Sequence, residues 1–303
     1  MIRILGTVFA GLFGLAFGSF LNVCLSRWPE GESIVHPHSH CRNCDHTLAW
    51  WENIPLVSWI ALHGRCRNCY DLIGWRYPLV ELAVAALWAI QSWNILRLVL
   101  DPELAAISPF LHFNVYNDIG LAFGHLIFYW LLVALAVLDA ENLWLPNWLT
   151  FPGTALGFVA NVLYRVIGSR YSDDLSQSWT SEAGSTALSS ILSILAAAGL
   201  ILLIRLLYKL IRHREGIGLG DAKLMAMLAA WLGLRGALLA FALGVILGVA
   251  AALVLLFVPS ARRESSGWAA SKLPLGTFLC IGGIVSSLWG EPIINAYLRI
   301  VGL

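Results

Sequence analysis

Long apolar stretches alternate with short polar ones along almost the whole chain. Most of the apolar stretches are close to the ~20 residues that a helix needs to cross the hydrocarbon core of a bilayer. The first, Ile4 to Leu25, is too long for the core of a cleavable signal peptide, so we expect it to be retained. We predict an all-α, polytopic integral membrane protein with about eight transmembrane helices, near residues 4–25, 77–98, 119–139, 148–167, 185–210, 221–234, 236–258 and 273–290.

Composition agrees with a membrane location. Charged residues make up 12% of the chain and hydrophobic residues 59%, and mean hydropathy is +0.76. A soluble domain carries about 25% charged residues. The formal net charge is only +1, so bulk electrostatics provides no attraction for nucleic acid. The expected surroundings are therefore a lipid bilayer, with no nucleic-acid partner.

The positively charged residues predict how the chain is oriented. With the predicted spans, thirteen of the 19 Lys and Arg residues fall on one side of the membrane and six on the other. Cytoplasmic loops carry the excess of such residues in multi-pass proteins. The richer side, which includes segment 27–76, Asp139 and Asp221, is therefore predicted to be cytoplasmic.

Segment 27–76 contains four of the six cysteines, in two identical Cys-Arg-Asn-Cys sequences. Between the two pairs lie 21 residues, a spacing close to that of ribbon-like Zn²⁺ sites with four thiolate ligands. Such a site leaves no open coordination position, so we predict a structural Zn²⁺. Disulfides and redox-active pairs are the alternatives, and disulfides require an oxidising compartment. The predicted ligands are Cys41, Cys44, Cys66 and Cys69.

Two aspartates lie at the edges of predicted spans, where an ionisable residue is by default a candidate functional site. Asp139 ends a predicted helix, where the helix dipole disfavours an anion. Asp221 follows glycines at 216, 218 and 220, which permit close backbone approach and unusual dihedral angles. An N-cap role at the next helix is the alternative for Asp221. If the two carboxyl groups meet, they form an acid/base pair with the logic of an aspartic protease.

Several segments occur in an order that resembles a known family, the type IV prepilin peptidases of bacterial pilus and type II secretion systems. These segments cover nearly the whole chain, and their joint order is more specific than any one of them. They are Gly18-Ser-Phe-Leu-Asn22, both cysteine pairs, Arg76-Tyr-Pro-Leu-Val-Glu81, Leu138-Asp139, Leu145-Pro-Asn147, Gly216-Ile-Gly-Leu-Gly-Asp-Ala-Lys223 and Pro274-Leu-Gly-Thr277.

The resemblance implies a bifunctional enzyme. Asp139 and Asp221 would be the catalytic pair of a GxGD-type aspartic protease, with Gly218, Gly220 and Lys223 as the backbone and substrate-binding context. The enzyme would cleave prepilin or pseudopilin leaders after a glycine, at the cytoplasmic face of the bacterial inner membrane.

The second implied activity is methylation of the new N-terminal amine with S-adenosylmethionine. The resemblance associates this activity with residues 1–98 and the peptidase with residues 119–303. The sequence contains no glycine-rich dinucleotide-type fingerprint, so it does not assign the methyl-donor site. The alternative functions are a membrane methyltransferase without peptidase activity and a non-catalytic zinc-binding scaffold.

The chain departs from the family pattern at one position near Asp139. The family usually has an aspartate where Asn147 stands. Asparagine keeps the ability to cap a helix, and the change touches neither proposed catalytic carboxyl group. We therefore expect peptidase activity to persist.

Overall fold

A computed structural model describes residues 1–100, 111–169, 179–213, 218–257 and 273–302. In these ranges the chain is mainly helical, as predicted, with two short 3₁₀ helices at Trp28–Glu30 and Trp50–Asn53. The α-helices are α1 Ile2–Arg27, α2 Val57–Ala61, α3 Arg76–Leu100, α4 Leu111–Asn142, α5 Asn147–Ser169, α6 Trp179–Arg212, α7 Leu219–Phe257 and α8 Leu275–Val301.

Six helices in the described part of the chain are long and apolar enough to cross a membrane, and the protein is a multi-pass membrane protein. They are Ile2–Glu30, Arg76–Arg97, Phe123–Asn142, Ala183–Arg212, Leu219–Leu255 and Leu275–Val301. Helix α7 contains the sixth and seventh predicted spans, and α5 is a 23-residue helix at the fourth. The eight predicted spans therefore correspond to seven helices, one of them broken.

The break in α7 lies at Gly233, which has φ 68° and ψ 178°. A side chain is rarely tolerated at this φ, so glycine suits the position. Carbonyl groups freed by a break need donors in an apolar environment. Asn161 of α5 supplies them, because its Nδ2 donates to Ala230 O at 2.8 Å and to Trp231 O at 3.2 Å.

The chain divides into two compact units, residues 1–134 and 135–303. In the first unit, α1 packs closely along α3. A Cβ added at Gly14 or Gly18 would lie 2.7 Å from the Cα atom of Ala85 or Glu81, respectively. Small residues allow such close backbone contact between membrane helices. The boundary between the units falls within α4, and the division of activities into residues 1–98 and 119–303 stays a prediction.

In the second unit, α7 packs on α5, α6 and α8. The contact with α8 is again close, since an added Cβ at Gly244 would lie 3.1 Å from Leu279 Cδ2. Helix α7 begins at Leu219 and α8 begins at Leu275. The packing therefore fixes the N-terminal ends of two helices whose first turns carry Asp221 and Thr277.

Candidate active site

Asp139 lies in the last turn of α4, and only 6% of its surface is exposed. Its Oδ2 accepts a hydrogen bond from the backbone N–H of Thr277 at 2.7 Å. Thr277 Oγ1 lies 3.3 Å from the same oxygen and 2.9 Å from Ala136 O, so its single proton is shared between these two acceptors. Thr277 is in the first turn of α8, where backbone N–H groups have no partner within the helix and the dipole favours an anion. The end of α4 disfavours this carboxylate, but the start of α8 stabilises it.

Asp221 is 8% exposed and lies in the first turn of α7. The helix begins at Leu219, so Asp221 is not its N-cap residue. Its Oδ2 nevertheless accepts a hydrogen bond from the backbone N–H of Gly218 at 3.2 Å. This interaction supports the start of the helix, as a carboxylate in the first turn often does. A structural contribution and a catalytic one are therefore compatible at this residue.

Leu145, in the connection between α4 and α5, packs against a glycine beside each aspartate, Gly220 and Gly276. A Cβ added at Gly220 would lie 3.0 Å from Leu145 Cδ1, and a Cβ added at Gly276 would lie 3.0 Å from the same atom. The Cβ added at Gly276 would also lie 2.8 Å from Asp139 Oδ2. Leu145 therefore packs between the start of α7, which carries Asp221, and the start of α8, which contacts Asp139. The two aspartates, distant in sequence, thus lie at helix ends that share this neighbour.

Close approach is the reason for glycine at position 220, but unusual dihedral angles are not. Neither Gly218 nor Gly220 has a positive φ, so that part of the sequence prediction is wrong, while Gly216 lies outside the described residues. The space that a Gly220 side chain would need is taken by Leu145. Glycine therefore suits this position because a side chain would press on Leu145.

Lys223 contacts the residue at which the chain departs from the family pattern. Its Nζ donates a hydrogen bond to Asn147 Oδ1 and lies 5.9 Å from the centre of the Phe151 ring. The predicted capping role of Asn147 is thus replaced by a link between the starts of α5 and α7. Lys223 helps to hold Asp221's helix in place beside α5.

Gly276 and Thr277 are the site residues that sequence reasoning did not assign. They belong to the late Pro274-Leu-Gly276-Thr277 segment, which the sequence shows without indicating a role. The residues lie next to Asp139 although 138 positions separate Thr277 from it. A glycine followed by a hydroxyl residue at a helix start is the signal that could have suggested a carboxylate partner.

The four paired cysteines form one cluster in the first unit. Their Sγ atoms all lie within 4.8 Å of one another, with Cys41 3.8 Å from Cys69 and Cys44 4.0 Å from Cys66. A tetrahedral Zn²⁺ site with Zn–S bonds of about 2.3 Å requires sulfurs about 3.8 Å apart. All four are free thiols, so the structure does not contain the alternative disulfides. The cluster has the size of a metal site.

The two Cys-Arg-Asn-Cys turns have the same backbone structure. The first Cys of each receives a hydrogen bond at its carbonyl oxygen from the residue after the turn, Asp45 at 2.9 Å or Tyr70 at 3.0 Å. Those two residues both have positive φ, 56° and 59°. Each turn is then closed by one isolated β-bridge, His40 with Thr47 or Arg65 with Leu72. The repeated turn brings two pairs of sulfurs together around one point.

Side chains of each turn contact a sulfur of the other. Asn43 Nδ2 lies 3.9 Å from Cys69 Sγ, and Asn68 Nδ2 lies 3.6 Å from Cys44 Sγ. The backbone N–H of His46 and the Asn68 amide lower the pKa of Cys44 to about 6. The thiol of Cys44 is thus suited to bind a cation as thiolate, because hydrogen bonds to sulfur stabilise the charged form.

Two family models match the chain. Residues 12–95 match the bacterial peptidase A24 N-terminal domain, and residues 126–253 match the type IV leader peptidase family. No solved structure matches the chain significantly.

Among curated proteins, the chain is 31% identical to a prepilin leader peptidase/N-methyltransferase of Stutzerimonas stutzeri, over 96% of this chain and 93% of the relative. It is 32% identical to the protein of the same name from Pseudomonas aeruginosa, over 96% of this chain and 93% of the relative. Identity is also 32% with the Dichelobacter nodosus protein of that name, over 95% of this chain and 93% of the relative.

Proposed function

The chain belongs to the type IV leader peptidase family, and we propose that it cleaves the leader peptides of type IV prepilins or type II secretion pseudopilins and then methylates the new N-terminal amine. The observation that carries the peptidase proposal is the burial of two carboxyl groups, Asp139 and Asp221, at ends of membrane helices that pack around the same residue, Leu145. We propose these two residues as the catalytic pair.

The two carboxyl groups supply what hydrolysis of a peptide bond requires. Because neighbouring carboxylates repel each other, the pair holds one proton between them. The ionised member takes a proton from water while the water oxygen bonds to the scissile carbonyl carbon. The protonated member donates its proton to the carbonyl oxygen. When the C–N bond breaks, the carboxyl group that took a proton from water gives it to the leaving amine. The other carboxylate takes a proton back from a hydroxyl of the tetrahedral intermediate, so the pair returns to its starting state with one proton.

Asp139 is the better placed of the two to hold the negative charge. It accepts a short hydrogen bond of 2.7 Å from the backbone N–H of Thr277, at the positive end of α8, and the Thr277 hydroxyl lies 3.3 Å away. Asp221 accepts one from the Gly218 N–H. This difference assigns the base role to Asp139 and the proton-donor role to Asp221.

Replacing either aspartate by asparagine tests the peptidase proposal. Asp139→Asn and Asp221→Asn should each lower leader cleavage by several orders of magnitude, because removal of one member of a catalytic unit disables it. Asparagine at 221 can still accept the Gly218 N–H, so the start of α7 is preserved. Near-normal cleavage by purified Asp221→Asn protein in detergent would leave that residue only its structural role.

The same assay separates the alternative functions. Purified wild-type protein is given an uncleaved prepilin peptide and, separately, a peptide whose leader has already been removed. Methylation of the second without cleavage of the first would indicate a methyltransferase alone. A protein that performs neither reaction would fit a non-catalytic scaffold.

We further propose that the cysteine cluster holds one structural Zn²⁺. The support is the number of thiols, their spacing close to the edge of a zinc–thiolate tetrahedron, and the Asn43 and Asn68 amides beside the sulfurs. Four thiolates would fill the coordination shell, so the metal would fix the fold of the segment and take no part in chemistry. Elemental analysis of active purified protein should find about one zinc per chain.

We also propose that the peptidase site and the cysteine segment face the cytoplasm from the inner membrane. Thirteen of the 19 Lys and Arg residues lie on that side in the predicted topology. An epitope placed after the exposed Gly31 should be reached by antibody only in permeabilised cells. Binding of antibody to intact spheroplasts would reverse the orientation.

We propose S-adenosylmethionine as the methyl donor. It would supply an activated methyl group on a positively charged sulfur; the amine would take the methyl group, the sulfur would keep the electron pair of the broken C–S bond, and the amine would release one proton to solvent.

A further inference from the structure

The first unit contains a cavity of about 270 Å³ between the end of α1, the start of α3 and the cysteine segment. This volume is near the lower end of the range for small-molecule sites, roughly 300–1,000 Å³, and is larger than a water site. It is separate in sequence from Asp139 and Asp221, since all its lining residues lie between Ser19 and Glu81. The residues that bear on its chemistry are Asn22, Arg27, Glu52, Trp59, Tyr77 and Glu81.

Hydrogen-bond acceptors dominate the buried polar groups of this cavity. Glu52 and Glu81 are each 7% exposed and Asn22 is 2% exposed. Within the described part of the chain, Asn22 Oδ1 and Glu52 Oε1 receive no hydrogen bond. Burying acceptors without donors costs free energy. A ligand that brings hydrogen-bond donors and positive charge would recover that cost.

The one buried cation beside these groups is already engaged with backbone carbonyls. Arg27 NH1 donates to Ser33 O at 2.7 Å, and its NH2 donates to Pro37 O at 2.6 Å. Glu52 Oε2 accepts the Ala49 N–H at 2.7 Å and lies 3.4 Å from His46 Nε2. Arg27 therefore does not neutralise the acidic groups by direct pairing.

Glu81 is tied to an unusual backbone conformation at the cavity wall. Its Oε2 accepts the Leu56 N–H at 2.8 Å, and Leu56 has φ 59° and ψ −46°. A positive φ at leucine is strained, and strain of this kind concentrates at binding and catalytic sites. The hydrogen bond from the Leu56 N–H thus fixes the Glu81 carboxylate and the backbone at Leu56 relative to each other beside the cavity.

An aromatic surface completes the lining. Trp59 is fixed by its Nε1–H, which donates to Ile73 O at 3.2 Å, and by Trp75, whose ring centre lies 4.5 Å away. Gly64 packs on the indole so closely that an added Cβ would lie 2.9 Å from it. A rigid aromatic ring beside buried acceptors suits a heteroaromatic base with exocyclic N–H groups.

We propose that this cavity is the methyl-donor site and binds S-adenosylmethionine, with Glu81, Glu52 and Asn22 matching its positive charge and donors and Trp59 its adenine. This inference rests on the proposed methylation. Cys41 and Cys66 also line the cavity, so the cysteine cluster shapes one wall. That contact explains how loss of the metal would reduce methylation without involving the metal in the reaction.

Equilibrium binding to purified full-length protein in detergent tests the site without relying on activity. Glu81→Gln should weaken binding of S-adenosylmethionine about tenfold, a change of about 1.4 kcal/mol typical for loss of a hydrogen-bonded charge. S-adenosylhomocysteine lacks the sulfonium charge, so its binding should weaken less. Glu291→Gln, at an exposed position on α8, is the matched control and should bind both ligands normally.

Wild-type protein provides a second measurement that does not depend on the folding of a variant. Ultraviolet crosslinking of bound S-adenosylmethionine, followed by peptide mapping, should label residues 19–81. Label confined to α5–α8, or normal affinity in folded Glu81→Gln protein, would overturn the proposed site while leaving methylation intact. Wild-type protein that neither binds the donor nor methylates a cleaved peptide would instead overturn the methylation on which the site depends.

Discussion

Replacing Gly276 by alanine tests how tightly α8 holds Asp139. The added Cβ would lie 2.8 Å from Asp139 Oδ2, 2.9 Å from its Cγ and 3.0 Å from Leu145 Cδ1. Ordinary contact needs about 3.5 Å, so the carboxyl group or the start of α8 must move by more than about 0.5 Å. Catalytic groups function within about 0.5 Å of their productive position, and a misplacement of about 1 Å can cost 100-fold.

We therefore expect Gly276→Ala to slow leader cleavage by about 10- to 100-fold and to destabilise the protein by about 1–3 kcal/mol, the usual cost of overpacking. Cleavage of a prepilin peptide by purified protein, together with its thermal unfolding midpoint, measures both effects. Methylation of a leader-free peptide should change little, because its proposed site lies on α1 and α3.

Gly199→Ala is the matched control for this substitution. Gly199 lies within α6, and a Cβ added there meets nothing within 4 Å. The same chemical change should then leave cleavage normal and stabilise the helix slightly, by up to about 1 kcal/mol. Wild-type cleavage rates in both glycine variants would show that contact between α8 and Asp139 does not position the carboxyl group.

Three further changes test other parts of the structure. Thr277→Val removes a hydroxyl whose proton is shared between Ala136 O and Asp139 Oδ2, so it should slow cleavage by up to about fivefold, or about 1 kcal/mol. Thr277→Ser should restore most of the rate, and equal losses in both variants would reject a role for the hydroxyl. Cys66→Ser protein should contain no zinc by elemental analysis, and its methylation should fall more than its cleavage. A variant that keeps its zinc would contradict the proposed ligand set. Asn147→Asp replaces the hydrogen bond to Lys223 by a surface ion pair. Cleavage should persist, and the free energy of unfolding should change by no more than about 1 kcal/mol and depend on salt concentration. Loss of cleavage would show that Asn147 matters to this site.

Features that depend on local sequence were predictable. Hydrophobic stretches of sufficient length specify membrane helices because a backbone in hydrocarbon must satisfy its own hydrogen bonds. The division between the predicted spans 221–234 and 236–258 falls close to Gly233, where α7 is broken at a positive φ. The repeated Cys-Arg-Asn-Cys sequence predicted a four-sulfur cluster, since identical turns place their sulfurs alike.

The surroundings of the aspartates were not predictable in the same way. The sequence places Asp139 at a helix end that disfavours an anion, and only the packing of α8 brings the Thr277 N–H and hydroxyl to that carboxylate. Likewise, the sequence marks Gly220 as a position of close approach without indicating that Leu145 is the neighbour. Both contacts join residues that are far apart along the chain.

The sequence by itself therefore determined the helices, the four-cysteine segment and the two acids, because each depends on residue type and short-range spacing. Only the tertiary structure decided that the helix starts carrying Asp221 and Thr277 both pack on Leu145 and that the Thr277 N–H donates to Asp139. It also decided that Asn22 and Glu52 leave acceptors without donors beside a cavity. Contacts of this kind depend on which helix faces pack together. Which faces pack together depends on the contacts of many side chains and glycines at once, so no single local sequence pattern predicts it.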